Sequence, residues 1–187
     1  MIRTAVISAL GEDPVIEDRV PPRPARGQAL VRIEAAALNF ADLLKAQGRY
    51  QEPAEPPFVP GLEGAGTVIE APGGSGLAPG MRVAVSAPGT MSQVMAVDCD
   101  ALLPMPDAMG MEQAAGFQVA YGTSHLALSG RGALQAGDRL VVLGAAGGVG
   151  LTAVQIGAAM GARVIGVARG AEKCTAVRRA GAQDAID

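Results

Sequence analysis

Apolar and polar positions change their rhythm part-way along the chain. Up to about Gly116 the apolar residues come in short runs, TAVIS, ALVRIEA, GTVIEA, MRVAVSA and SQVMAV, punctuated by Pro and Gly. Each run is the length of a strand, and PGGSGLAPG between two of them has turn chemistry. Several short strands with little helix predict a barrel or sandwich. One helix is expected to interrupt them, in NFADLLKAQG, where Asn39 can accept a hydrogen bond from a first-turn amide and Gly48 can stop the helix. From about Met111 the segments lengthen. EQAAGFQVAYGTSHLALSG reads as helical, QAGD as a turn and RLVVLG as a strand. Val149, Ala153, Ile156 and Met160 then recur at helical spacing, ARVIGVA is a second apolar strand, AEKCTAVRRAG an amphipathic helix, and DAID the start of a third strand. This βαβα order predicts a parallel sheet with right-handed crossovers. The change of rhythm divides the chain into residues 1–116 and 117–187.

Composition narrows the partners. With 187 residues and 49% apolar content, the chain can bury a core in one domain or two small ones. Fifteen Lys and Arg against eighteen Asp and Glu leave a net charge of -3, which gives no electrostatic reason to bind nucleic acid or an anionic membrane. Small molecules or a second copy of the chain, as a homodimer, are the partners to expect. Cys99 and Cys174 are the only cysteines and lie far apart, so they form neither a disulfide framework nor a metal knuckle. A reducing, cytoplasmic compartment fits that usage. The N-terminal MIRTAVISALGED has Arg3 inside its short apolar stretch and turns acidic at once, unlike a secretory leader. Leu140 to Ala162 carries no charge and has the length of a membrane span, but its glycines suit a strand and helix buried in an α/β sheet.

The most specific signal is LVVLGAAGGVG, a strand that runs into a glycine turn and then a helix. The first amides of a helix have no intrahelical partner and sit at its positive end, so they can hold a phosphate. Glycine lets the backbone approach a pyrophosphate where a Cβ would collide. Ala145, Ala146, Gly147, Gly148, Val149 and Gly150 are therefore the candidate cofactor-binding turn. Gly147 and Gly150 match the last two glycines of the dinucleotide fingerprint, and Ala145 stands in the place of the first. A tight turn that needs small residues only for packing is the plainer alternative. At the end of the second strand, where NAD enzymes carry an acidic residue for the ribose hydroxyls, this chain has Ala168 followed by Arg169 and Lys173. A carboxylate there would repel a 2′-phosphate, whereas two cations attract it, so the expected cofactor is NADPH. Ordinary solvated charges are the alternative, but cations at a helix N-terminus oppose its dipole, which favours the functional reading.

Four segments in order, NFADLLKAQGRY, PFVPGLEGAGTV, AYGTSHLAL and LGAAGGVGLTAVQIGAAMGARVIGVA, resemble successive motifs of the quinone oxidoreductase branch of the medium-chain dehydrogenase/reductase family. The resemblance covers nearly the whole chain. It implies an α/β plus β fold, in which a GroES-like β-barrel catalytic domain precedes a Rossmann NADP-binding domain, with cofactor and substrate in the cleft between them. It also implies chemistry without zinc, because Leu62 stands where zinc-dependent relatives have a His and Asn39-Phe40-Ala41-Asp42 replaces the segment with their first Cys. The four-cysteine structural lobe is absent too, so no metal is expected. Hydride would pass from NADPH to an acceptor already activated by conjugation, a quinone or an α,β-unsaturated carbonyl.

By the same resemblance the catalytic candidates are Asn39, Tyr50 and Thr123. Asn39 offers an amide near the nicotinamide, or is only the helix cap. Tyr50 offers a substrate-facing phenol, or is a loop aromatic on the barrel. Thr123 lies beside the nicotinamide face, or bonds its own helix backbone. Asp42 and Glu63 are expected to be structural hydrogen-bonders, and His125 a surface or interdomain residue. Family members continue through the rest of the Rossmann sheet, so this chain holds only its first half. Either it is a piece of a longer protein or another chain supplies the remainder. An enoyl-thioester reductase of the same family, a non-catalytic NADPH-binding protein and a module that uses the barrel alone for interaction are the competing functions.

Overall fold

A computed structural model describes all 187 residues and divides them into two compact units, Met1–Val119 and Ala120–Asp187. All strand pairings of the first unit are antiparallel. Strands β1 (Ile2–Val6) and β2 (Val15–Arg19) form a hairpin. The strands β3 (Gln28–Ala36), β4 (Glu63–Glu70), β5 (Arg82–Ser86), β6 (Val94–Asp98) and β7 (Leu102–Pro104) make a five-stranded sheet in the order β6-β3-β4-β5-β7. Bridges Thr4↔Ser92 and Ile7↔Phe58 tie the first strand and the residue after it to the loops of the larger sheet. Inward positions alternate as a half-buried strand requires: Ile2, Thr4 and Val6 are buried while Arg3 is exposed. The core behind the sheet is built from Val31, Val68, Val83, Val85, Val97 and Leu102. The β3/β4 ladder shifts register near Ile33, and Gly66 sits at that point. A Cβ there would lie 2.0 Å from the Arg32 carbonyl oxygen, so only glycine allows the two backbones to approach.

Two strands carry no legible pattern. In β2, VIEDR, Val15 and Ile16 are both exposed, so the segment lacks the alternation that marks a strand with one buried face. β7 has only three residues. The long helical segment expected from Met111 is also divided. It forms α2 (Met111–Ala115), is interrupted at Gly116 and resumes as α3 (Gln118–His125), which passes into a π-helical turn at Leu126–Arg131. Ala114 and Ala115 pack with Ala65 and Ala84 of the sheet, so α2 belongs to the β unit. The compact units divide after Val119, three residues beyond residue 116, and the Val119 N–H is bound to Glu63 Oε2 of the same unit.

The second unit is a three-stranded parallel sheet in the order β10-β9-β8, from β8 (Arg139–Leu143), β9 (Arg163–Val167) and β10 (Asp184–Ile186). The crossovers are α4 (Gly148–Ala159) and α5 (Ala171–Arg179). Val142, Val154, Val164, Cys174 and Val177 form its core. Gly157 is required where α4 crosses β8, because a Cβ would come within 2.5 Å of Leu140 Cδ2. Val141 and Leu143, on the opposite side of the edge strand β8, remain 57% and 77% exposed. No helix is long and apolar enough to cross a membrane.

Candidate cofactor turn and buried polar network

In the first unit the chemistry centres on α1 (Phe40–Ala46), which starts at Asn39. The Asn39 backbone N–H donates to Asp42 Oδ2 at 2.8 Å, and Asp42 Oδ1 accepts the Gly61 N–H at 3.1 Å. Asp42 thereby pins the start of α1 to the loop before β4. Gly61 has φ +99°, and a Cβ would lie 2.3 Å from Thr90 Oγ1, so this approach also depends on glycine. The side chain of Asn39 donates through Nδ2 to Glu63 Oε1 at 3.0 Å, while Glu63 Oε2 accepts the Val119 N–H at 2.9 Å. Thr90, fully buried, donates from Oγ1 to the Glu63 carbonyl oxygen at 2.9 Å. Glu63 is only 1% exposed and Asp42 6%. Burying such groups is costly unless they are paired, and here each carboxylate oxygen has a donor.

Tyr50 lies beyond the other end of α1. The helix stops at Gly48, φ +66°, and Lys45 Nζ lies 5.3 Å from the Tyr50 ring centroid and 3.8 Å from Glu52 Oε2. Seven helical residues span about 10 Å, so Asn39 and Tyr50 mark opposite ends of one element and share no hydrogen bond. A cavity of about 110 Å³ beside α1 is lined by Asp42, Lys45, Ala54, Phe58, Leu62 and Pro88. A broader groove of about 960 Å³ on the same unit, lined by Arg26, Ser75, Asp98 and Leu103 among others, shares none of the network's residues. No three His, Cys, Asp or Glu side chains come together in a group that could hold a metal ion.

In the second unit the glycine turn stands at the C-terminal end of β8. Gly144 takes φ +63°, the Ala145 N–H donates to the Val167 carbonyl oxygen at 2.9 Å, and Gly147 caps α4. The first helical amide to reach back is Leu151, which donates to Gly147 O at 2.8 Å, so the amides of Gly148, Val149 and Gly150 precede the ladder. Ala145 is fully buried, and a Cβ on Gly166 of β9 would lie 3.0 Å from its methyl. The extra carbon at the fingerprint's first position is therefore accommodated by a glycine on the next strand. Gly150 cannot be replaced in this way: its Cβ would meet Gly144 O at 2.3 Å and Ala145 Cα at 2.8 Å. At Gly148 a Cβ would meet nothing within 4 Å, so that glycine answers no packing need inside the protein.

Ala168 directly follows the neighbouring strand β9; it is 7% exposed, and its carbonyl oxygen accepts a hydrogen bond from Cys174 Sγ at 3.2 Å. Arg169 and Lys173 follow at the surface, at the start of α5, and make no ion pair; the second unit's salt bridge is Arg163–Asp184. Glu172 is exposed between them in the sequence, and the Gly170 N–H is engaged by Asp187 Oδ1 at 2.8 Å. Thr123 is exposed on α3. His125 is exposed as well, and its ring nitrogens approach Ser129 Oγ at 3.3 and 3.4 Å.

Residues 25–135 match the alcohol dehydrogenase GroES-like domain. Over 192 aligned residues the chain is 36% identical to quinone oxidoreductase-like protein 2 homolog of Nematostella vectensis, covering 99% of this chain and 52% of that protein. A probable oxidoreductase from Mycobacterium abscessus superposes with a TM-score of 0.94 at 37% identity, covering 99% of this chain and 61% of the other. The quinone oxidoreductase of Thermus thermophilus, crystallised also as its complex with NADPH, gives 0.90 at 36% identity, covering 98% and 59%. The chain belongs to the quinone oxidoreductase family of medium-chain dehydrogenase/reductases. It spans about half the length of the curated relatives it matches. Its fold is accordingly a GroES-like β-barrel domain followed by the first part of a Rossmann domain.

Within this family member several residues escaped the sequence reading. Gly144 supplies the left-handed residue of the turn, and its position immediately after the strand was the available signal. Thr90 reaches Glu63 across 27 residues and carries no local pattern. Ser124 and Thr152, 1% and 6% exposed, lock α3 to α4, and small polar residues in otherwise apolar helix segments were the only hint.

Proposed function

We propose that this chain is part of an NADPH-dependent oxidoreductase that transfers hydride to a quinone or another α,β-unsaturated carbonyl without zinc. The observation that carries the reading is the turn at Gly147–Gly150, whose first amides are free of the helix ladder and whose Gly148 leaves open space above the backbone. Gly148, Val149 and Gly150 would hold the pyrophosphate. Arg169 and Lys173, at the end of the adjacent strand and without acidic partners, would hold the 2′-phosphate, and buried Ala168 presents no carboxylate against it. NADPH, when bound, supplies the hydride. The protein's own part is to orient the ring, hold the acceptor and exclude water.

On the barrel side, Asn39 would present its amide to the reacting pair, held by Glu63 rather than free to rotate. Tyr50, steadied by the Lys45 cation, would hydrogen-bond the acceptor oxygen, and Thr123 would line the nicotinamide face. The donor set suits chemistry without a metal, since Leu62 occupies the half-buried position beside Glu63 and supplies no ligand atom. Loss of NADPH absorbance with a benzoquinone, an enone and a saturated ketone, with and without a chelator, tests this reading. Oxidation with the conjugated acceptors alone, unchanged by chelator, is expected. Chelator-sensitive turnover of the saturated ketone would overturn it.

A further inference from the structure

We propose that Ser124 and Thr152 are positioning residues for the dinucleotide, a hydroxyl pair that fixes the phosphate-binding turn against the helix carrying Thr123. The inference rests on the reading of the glycine turn as a cofactor site. Ser124 Oγ donates to the Val149 carbonyl oxygen at 2.8 Å and lies 2.8 Å from Thr152 Oγ1. Thr152 Oγ1 lies 3.0 Å from the Ala120 carbonyl oxygen and 2.9 Å from that of Val149. Two hydroxyl groups have only two protons to share among these acceptors. With Ser124 donating to the Val149 carbonyl, Thr152 donates to Ser124 Oγ across the 2.8 Å between them, so the two hydroxyls form one coupled chain.

The position of this pair is what gives it a role. Val149 belongs to the first turn of α4, and its own amide is one of those proposed to face the pyrophosphate. Ser124 follows Thr123 directly on α3. One buried pair thus sets both the tilt of the phosphate-binding amides and the placement of the helix beside the nicotinamide. Apolar residues would pack two helices together equally well. Buried hydroxyls, by contrast, fix register through directional bonds.

The test is calorimetric titration of the 187-residue chain and its variants with NADPH and with NADH, alongside thermal melting. Thr152→Val keeps the shape and removes the hydroxyl, Thr152→Ser keeps the hydroxyl, and Ser124→Ala removes the other partner. We expect Thr152→Val and Ser124→Ala each to weaken NADPH by about three- to tenfold, the effect of one lost buried hydrogen bond. Thr152→Ser should restore affinity, the NADPH-to-NADH ratio should stay unchanged, and the double variant Ser124→Ala with Thr152→Val should bind about as weakly as either single one. A Thr152→Val protein that binds NADPH like the wild type overturns the proposal alone, as does one whose lost affinity tracks a lowered Tm and is not restored by Thr152→Ser. Wild-type chain that binds neither dinucleotide overturns the underlying cofactor reading together with it.

Discussion

The two units keep their polar chemistry in opposite ways. In the β unit two carboxylates are withdrawn from water and satisfied: Asp42 and Glu63 are almost fully buried, and each of their carboxylate oxygens meets a donor. In the Rossmann-type unit the groups of interest face outward. The first amides of α4 stand clear of the helix ladder, Arg169 and Lys173 have no ion-pair partner, and the outer side of β8 leaves Val141 and Leu143 open. A closed network holds side chains in fixed directions, whereas an open cradle awaits something from outside. Under the proposed function, the first unit would position side chains and the second would capture a charged ligand.

The sharpest way to break this contrast is to fill the cradle from beneath. Gly150→Val places side-chain carbons against the backbone of Gly144 and Ala145, and we expect it to destabilise the second unit by about 3 kcal/mol or more, measured by urea unfolding. Next in size is Glu63→Gln. The substituted side chain can accept from only one of its two donors, the Asn39 amide and the Val119 N–H, and a loss of about 2 kcal/mol is expected in the same measurement. Combining it with Asn39→Asp reverses donor and acceptor across that contact and should recover at least half of the loss. If the single variant is as stable as wild type, the network is not holding the unit.

Smaller effects sharpen the comparison on the open side. Arg169→Ala should weaken NADPH binding by about tenfold, close to 1.4 kcal/mol, and leave NADH binding unchanged. Equal loss for both cofactors would remove Arg169 from the 2′-phosphate site. Gly148→Ala separates fold from function most cleanly. Its Cβ meets nothing within 4 Å, so thermal stability should hold or rise by about 0.5 kcal/mol while NADPH binding falls. Unchanged binding would show that the space above Gly148 is not where the pyrophosphate lies.

How far the sequence could be read follows the same division. The candidate cofactor turn is contiguous, and a strand, a glycine turn and a helix in that order are legible because all of its groups lie within a few residues of one another. Its one irregularity, Ala145, is explained only by Gly166, which stands on the next strand and is brought close by the parallel pairing of β8 and β9. The barrel network was legible only in its members. Asn39, Asp42 and Glu63 stood out, but the links from Glu63 to Asn39, Thr90 and Val119 span 24, 27 and 56 residues, and no local pattern encodes them. The division of the helical segment at Gly116 was hidden for a related reason. Ala114 and Ala115 are recruited by Ala65 and Ala84 of the β unit, a tertiary contact that overrides a continuous helical pattern.

Calorimetric titration of the 187-residue chain with NADPH and, separately, with NADH tests the division of labour most directly. Saturable binding of NADPH, with NADH at least about tenfold weaker, is the result expected of a glycine cradle flanked by Arg169 and Lys173. Failure to bind either dinucleotide, or equal affinity for both, would contradict it.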